Sequence, residues 1–152
     1  MRIENNLIAG NTINGISLYS ELSVGVEPTA PLHLEIVNNT ITKNLKGLIA
    51  PVDGIFVHNN IITGNDEDVY RLADAADANV LNNLFGVSPD FVGKSGNISG
   101  DPAFVAPDQG DYRLQSSSPA RAAGTSQLAP TVDIEGHPRD ATHPDLGAFE
   151  SP

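Results

Sequence analysis

The sequence of 152 residues contains no cysteine and no tryptophan, and aromatic residues make up only 5% of it. Without cysteine the chain forms no disulfide, no zinc–thiolate site and no thiol nucleophile. Lysine and arginine number 8 against 19 aspartates and glutamates, which gives a formal net charge of −11. Such a charge repels phosphate backbones and anionic membrane surfaces. We therefore predict no nucleic-acid partner and no membrane partner.

Long hydrophobic runs are also missing. No apolar run reaches the roughly 18 residues that cross a bilayer, and residues 1–6 lack the apolar segment of a signal peptide. The first residues already lie inside the repeat described next. We expect the chain to be the end of a longer β-helical protein, either cut from it or encoded as a short gene.

A motif of the form apolar-x-Asn-Asn-x-Ile-x-x-Asn recurs along the first half of the chain. Its copies are residues 3–11, 36–44 and 57–65, with a degenerate copy at 80–86. The first asparagines of the later copies are 21 and 23 residues apart, and the first interval is 33 residues. A three-strand coil of a parallel solenoid takes roughly 20–25 residues. The first interval therefore predicts one coil plus an insertion within residues 21–32.

The motif also predicts which residues face the core. Strand alternation places Ile8, Ile41 and Ile62 inside, and Leu7, Thr40 and Ile61 outside. Asparagine tolerates the left-handed backbone of a sharp bend, and equivalent amides in adjacent coils bond as a ladder. We assign this structural role to Asn5, Asn6, Asn11, Asn38, Asn39, Asn44, Asn59, Asn60, Asn65, Asn82 and Asn83. Glycine bends are expected to open further strands at 15–18 and 54–57, with 47–49 as a partial equivalent.

The predicted fold is all-β, a right-handed parallel β-helix of about three to four coils. The coils occupy residues 1–96, and a loop-rich capping region, residues 97–152, packs on the solenoid within one domain. Right-handedness follows from the crossover preference of parallel strands. A leucine-rich solenoid would need a denser leucine frame, and helical repeats would need a 3.6-residue period. Residues 66–79 are expected to form a short helix or a bulge.

The repeats resemble the pectate-lyase-like right-handed β-helix superfamily. Residues 97–105, 110–114, 118–120, 133–139 and 144–150 resemble the C-terminal region of bacterial secreted β-helix proteins of the choice-of-anchor Q type. The resemblance implies an extracellular or cell-surface parent protein. It does not imply an activity, because the superfamily includes lyases, hydrolases, epimerases, adhesins and inert repeats. Cleft residues of the family lie on central coils upstream of such a tail, so no catalytic residue is carried over.

The remaining polar residues include candidates for catalysis. A polysaccharide lyase needs a base, for which the chain offers Lys43, His58 and Arg71. A glycoside hydrolase needs two carboxylates, but Glu4 and Glu35 differ in repeat offset. The acidic segment 66–68 is expected to be solvated.

Metal and ion-pair candidates come from the tail. We predict no cofactor, with Ca²⁺ as the alternative, and the carboxylates that would hold it are Asp101, Asp108 and Asp111. Each stands beside glycine or proline, which favours a turn-forming role instead. Arg139 is expected to pair with Asp133 or Glu150 and to fix the last part of the chain.

The leading functional hypothesis is a non-catalytic module, structural or in contact with a polysaccharide. Two alternatives remain open. One is a fragment or short relative of a polysaccharide lyase or glycoside hydrolase. The other is an element that self-associates through its N-terminal coil, because an uncovered coil exposes strand edges and core.

Overall fold

The structure is a computed structural model, and it describes residues 1–18, 33–50, 54–72, 79–87 and 90–152. These residues form short β-strands and a turn of 3-10 helix at Pro107–Gln109. The strands are β1 (Arg2–Glu4), β2 (Leu7–Ala9), β3 (Asn14–Ser17), β4 (Leu34–Val37), β5 (Thr40–Thr42), β6 (Lys46–Ala50), β7 (Ile55–His58), β8 (Ile61–Ile62), β9 (Glu67–Leu72), β10 (Val80–Leu81), β11 (Leu84–Phe85), β12 (Ile98–Ser99), β13 (Phe104–Ala106) and β14 (Asp111–Leu114).

The first twelve strands form three parallel sheets. Sheet A has the order β1-β4-β7-β10, sheet B has the order β12-β11-β8-β5-β2, and sheet C has the order β3-β6-β9. Equivalent motif residues pair with one another: Ile36 lies opposite Ile3 and Val57, and Ile41 lies opposite Ile8 and Ile62. The pairing register of the strands therefore follows the sequence repeat. The predicted all-β class with parallel strands is confirmed.

Residues of all three sheets meet in one apolar cluster, the main core. Its buried members include Ile36 and Val57 from sheet A, Ile41 from sheet B and Leu48 from sheet C. Each of these four side chains is fully buried. Ile8 packs against the core from the first repeat and is only partly buried. Most members of this core are aliphatic, and Phe85 is its fully buried aromatic side chain among the described residues.

The tail, residues 100–152, covers the outward face of sheet B. Ile61 and Leu84 point away from the main core and form a second cluster with Leu114, Ala120 and Leu146 of the tail. Both outward residues are buried for this reason. Strands β13 and β14 form an antiparallel hairpin within the tail. Among the described residues no helix has the length and apolarity to span a membrane.

Residues 67–72 form strand β9, where the sequence suggested a short helix or a bulge. The strand pairs with β6, and the register shifts between Leu48 and Ile49. Val69 and Leu72 pack against the core from this strand, so sheet pairing and burial override the local helical tendency. Residues 73–78 and the expected insertion at 21–32 lie outside the described residues.

The glycine-led strands also group differently from the expectation. Ile16 of β3 lies opposite Leu48 of β6, so Gly15 and Gly47 are the equivalent glycines, while Gly54 precedes a strand of sheet A. A Cβ atom at Gly15 would lie 2.7 Å from the Gly47 carbonyl oxygen, and one at Gly47 would lie 2.5 Å from the Asp68 carbonyl oxygen. These glycines are required by close backbone approach between neighbouring repeats.

Candidate functional site

The first asparagine of each motif sits at the bend between sheet A and sheet B. The backbone φ angles are 53° at Asn5, 52° at Asn38, 57° at Asn59 and 52° at Asn82. This is the left-handed region, which asparagine adopts more readily than other residues with a side chain. We call these four residues the outer asparagine row.

The second asparagine of each motif forms a continuous ladder. The inner ladder consists of Asn6, Asn39, Asn60, Asn83 and Asn97, and each Nδ2 donates to the Oδ1 of the next residue at 2.9 to 3.0 Å. Each backbone N–H donates to the same Oδ1. The Nδ2 of Asn60 also donates to the carbonyls of His58 and Ile36. Such buried amides are fully hydrogen-bonded.

Asn97 extends this ladder beyond the motif copies. It lies 14 residues after Asn83, and β12 directly follows it in sheet B. The repeat pattern therefore continues past residue 96 into the segment that the sequence assigned to the capping region. The missing motif explains why the sequence did not place Asn97 in the ladder.

A second ladder runs along the bend between sheets B and C. Asn11 donates to Asn44, and Asn44 donates to Asn65, both at 2.9 Å. It ends at Asp68, whose Oδ1 accepts from Asn65 Nδ2 at 3.0 Å and whose Oδ2 accepts from Val87 N at 2.8 Å. Asp68 is 3% exposed. The expectation of a solvated 66–68 segment is wrong at this residue, because its carboxylate ends a ladder of donors.

We expect Asp68→Asn to lower the free energy of unfolding by about 1–2 kcal/mol, because one carboxylate oxygen becomes an NH₂ group facing the Val87 N–H. Urea denaturation measures this. Asp66→Asn is the matched control, since Asp66 is exposed two residues earlier. Equal stability of the two variants would contradict the role of Asp68.

The outer asparagine row binds the tail. Asn82 Nδ2 donates to the Ala123 carbonyl at 2.9 Å, and Asn59 exchanges two hydrogen bonds with the backbone of Thr125. Asn38 Nδ2 donates to the Asp145 carbonyl at 3.0 Å. Asn5 Nδ2 donates to the Val132 carbonyl at 2.7 Å. The tail thus contacts all four repeats along one side.

Arg139 connects the tail to the first repeat. Its Nη2 donates to Asn5 Oδ1 and to the Gly147 carbonyl, both at 2.9 Å, and its Nη1 lies 3.1 Å from Glu150 Oε2. The Arg139 side chain is 1% exposed. Burial lowers the pKa of the Arg139 guanidinium, against the nearby Glu150, Asp133 and Asp145 carboxylates that raise it. Of the two partners expected from the sequence, Glu150 makes the ion pair.

Asp133 has a different structural role. Its Oδ1 accepts from the backbone N–H groups of Glu135 and His137, and its Oδ2 accepts from that of Glu150. Burial would raise the pKa of Asp133, but these three donors hold it below its ordinary value. The carboxylate therefore stays ionised and fixes the turn that follows it.

The candidate bases do not converge. Lys43 follows sheet B, and its Nζ donates to the Pro107 carbonyl at 2.9 Å and to Asp108 Oδ1 at 3.0 Å. The bond to Asp108 raises the pKa of Lys43. His58 ends a strand of sheet A and is fully buried. Arg71 lies in β9 of sheet C, and its side chain is outside the part of the chain that the structure describes.

His58 makes no hydrogen bond through either ring nitrogen within the described structure. Burial lowers its pKa, against smaller opposing effects of the Gln127 backbone and Glu35. Its neutral ring packs edge-on to Phe56, with the ring centroids 6.0 Å apart. A buried imidazole of this kind favours a packing role over proton transfer.

Acid is expected to destabilise the protein through His58. The unfolded chain binds more protons at mildly acidic pH, because the folded protein lowers the His58 pKa. The stabilisation is complete above about pH 6.5 and is lost as the pH falls through that value toward the folded pKa. Urea denaturation between about pH 7.5 and 5.5 tests this, with His58→Leu expected to flatten the dependence. His143→Asn, at an exposed histidine of the tail, is the control; parallel curves for wild type and His58→Leu would refute the prediction.

The three tail carboxylates proposed for Ca²⁺ each have a separate partner. Asp101 accepts from the Ala103 N–H, and Asp108 pairs with Lys43. Asp111 pairs with Arg113, which lowers the pKa of Asp111 to about 2. Among the described residues, the group of three potential metal ligands lies elsewhere, at Asp133, Glu135 and His137.

Glu35 belongs to a polar group on the outward face of sheet A that the sequence did not predict. Glu35 accepts from Arg2 Nη1 at 2.6 Å and lies 2.7 Å from His33 Nε2. The bond to His33 lowers the pKa of Glu35, and Arg2 lowers it further against the effect of burial. The His33 and Phe56 ring centroids are 4.8 Å apart. Strand alternation was the signal, since residues 35 and 56 are paired outward positions.

No family model, curated protein or solved structure matches this chain. The resemblance to pectate-lyase-like β-helices therefore stays a prediction. The parallel sheets and the motif register are compatible with it.

Proposed function

We propose that the chain forms a right-handed parallel β-helix and acts as a non-catalytic module of a bacterial secreted or cell-surface protein. The strand order supports the solenoid, since each repeat contributes strands to sheets A, B and C in turn. The hydrogen bonds between the outer asparagine row and the tail support the non-catalytic role most directly. They occupy one side of all four repeats, which therefore serves to hold the tail.

The reactive side chains support a non-catalytic role. Lys43 is paired with Asp108, Arg139 is buried with Glu150, and His58 is buried. A general base needs hydrogen-bond reach to a substrate proton. His58 and Arg139 are buried, and the partly exposed Lys43 ammonium is bound to Asp108 and to the Pro107 carbonyl.

The surface proposed to contact a polysaccharide is the outward face of sheet A. The most exposed of Arg2, His33 and Glu35 is His33, whose side chain is 64% exposed. His33 pairs with Glu35 and lies against the Phe56 ring, so a sugar would contact the His33 ring first. Contact of this kind holds a neutral or lightly charged glycan without cleaving it. The net charge of −11 disfavours strongly anionic polymers.

Polysaccharide binding and cleavage are tested in one panel. Neutral and uronate polymers are incubated with the chain, and unsaturated product, reducing ends and bound protein are measured in parallel. We expect retention on one or more neutral polymers, weakened by Phe56→Ala, with no product. Turnover would reject the non-catalytic proposal in favour of a lyase or hydrolase fragment. Product from Lys43→Ala at the wild-type rate would exclude Lys43 as its base.

Self-association is the second candidate, and the sheet edges favour it. Strands β1, β2 and β3 are each the edge of their sheet. Asn6 and Asn11 begin the two ladders, and within the described residues no donor reaches their Oδ1 atoms. A second copy of the chain would supply strands and donors to this face. Light scattering should show a mass that rises with concentration, and a strict monomer at micromolar concentration would contradict it.

A further inference from the structure

The turn from Val132 to Pro138 brings three ligand-type side chains to one place. Val132 and Pro138 form an antiparallel bridge, and the Asp133 N–H donates to the His137 carbonyl at 2.9 Å. Gly136 has φ +86°, which lets the chain reverse inside this bridge. The side chains of Asp133, Glu135 and His137 therefore lie together.

Two distances between the potential ligand atoms are close to the distances between neighbouring atoms that coordinate one transition metal. His137 Nδ1 lies 3.4 Å from Asp133 Oδ2 and 3.7 Å from Glu135 Oε2. Zinc bonds of about 2.0–2.1 Å in tetrahedral geometry place neighbouring ligand atoms roughly 3.4 Å apart. All three ligand atoms lie within 4.8 Å of one another, so the exposed Glu135 and His137 side chains would have to move inward to close around one ion.

The two exposed ligands have freedom to make that movement. The His137 and Glu135 side chains are 62% and 43% exposed, while the Asp133 side chain is fully buried and held by three backbone donors. One fixed carboxylate and two adjustable side chains leave a fourth position open to water. A set of one imidazole and two carboxylates suits Zn²⁺, Co²⁺ or Ni²⁺, whereas Ca²⁺ prefers oxygen ligands alone.

We infer that Asp133, Glu135 and His137 form a binding site for a divalent transition metal, with Zn²⁺ the expected ion. This departs from the sequence prediction of no cofactor and from the carboxylates proposed there for Ca²⁺. The site is independent of polysaccharide contact, because it lies in the tail and not on sheet A. Its metal would stabilise the folded chain, since Asp133 also binds the Glu150 N–H and Glu150 pairs with Arg139.

The rival state is an ion pair without metal. A protonated His137 would neutralise part of the carboxylate charge by itself. The experiment must therefore detect coordination and not only a change in stability. Co²⁺ serves this purpose, because its visible absorption reports the number and type of ligands directly.

The tag-free chain is titrated with Zn²⁺ by calorimetry and with Co²⁺ by visible absorption, and its melting temperature is measured with and without metal. We expect one equivalent to bind, with a rise in melting temperature and a Co²⁺ spectrum of low coordination number. His137→Asn and Glu135→Gln should each weaken binding at least about tenfold, the loss seen even for residues that only orient a ligand. Asp133 is left unchanged because it holds the turn.

His143→Asn is the matched control, since His143 is an exposed tail histidine outside the trio. It should bind Zn²⁺ as tightly as the wild type. No saturable binding, or equal affinity in His137→Asn and wild type, would overturn the proposal and leave the ion pair. Circular dichroism without metal confirms that both exposed variants are folded, so a loss of binding is a loss of ligand.

Discussion

Replacing Asn60 by alanine is expected to lower the free energy of unfolding by about 3–5 kcal/mol, a loss typical of breaking a buried polar network. Asn60 is fully buried in the middle of the inner ladder. Its Oδ1 accepts two bonds from Asn39, and its Nδ2 donates to Ile36, His58 and Asn83. The truncation leaves these buried partners unsatisfied. Urea denaturation followed by circular dichroism measures the change.

Asn6→Ala is the matched control for this variant. Asn6 occupies the same motif position at the head of the ladder and is exposed, so water replaces its lost bonds. We expect its effect to be at most about 1 kcal/mol. Asn60→Asp adds a second test, because a carboxylate oxygen would face the carbonyls of Ile36 and His58. Similar stabilities of Asn60→Ala and Asn6→Ala would contradict the ladder as a stabilising element.

The second large effect is expected at Arg139. Arg139→Ala should cost about 3–5 kcal/mol, because it removes one partner of a buried ion pair and leaves the other uncompensated. The guanidinium joins Glu150 of the tail to Asn5 of the first repeat. Denaturant unfolding gives the energy, and hydrogen exchange of residues 120–152 shows whether the tail detaches first.

The variant Arg139→Lys tests whether the positive charge at this position is sufficient without the shape of the guanidinium group. A lysine keeps the positive charge but not the planar fork that reaches Asn5, Gly147 and Glu150 together, so we expect an intermediate loss. Arg113→Ala is the control, since Arg113 makes an exposed pair with Asp111 and should change stability little. A double-mutant cycle of Arg139→Ala with Asn5→Ala isolates the contact between tail and repeat. No coupling in that cycle would mean that the tail is held elsewhere.

The motif alone was sufficient to predict the pairing of the repeats. Strand alternation and the 21-residue spacing place Ile41 beside Ile62 in the core, and the asparagines at the bends. These are local properties repeated along one chain, and repetition makes them visible in a single sequence. Of the two alternatives for residues 66–79, the helix is wrong over 67–72, because pairing with β6 decides the backbone there and that pairing is not local. The register shift between Leu48 and Ile49 is compatible with the other alternative, a bulge.

The contacts of the tail were beyond sequence reasoning for a related reason. Asn38 and Asp145 are 107 residues apart, and no pattern links them. No sequence pattern links Ile61 with Leu146 either, although the two side chains pack together. The outward position of Ile61 was predicted correctly, but its burial under the tail was not predicted. The proposed metal ligands Asp133, Glu135 and His137 were not recognised from the sequence, because they stand at alternate residues of a turn. The ion-pair expectation drew attention to Asp133 and Arg139 instead.

The path of the tail changes how this molecule should unfold. Repeat proteins usually lose structure from their ends, because each unit interacts only with its nearest neighbours. Here residues 123, 125, 145 and 132 bond to the fourth, third, second and first repeats respectively. No repeat can therefore fray without also breaking its bond to a segment shared by the others. Unfolding should be all-or-none, with a denaturant dependence proportional to the surface of the whole chain.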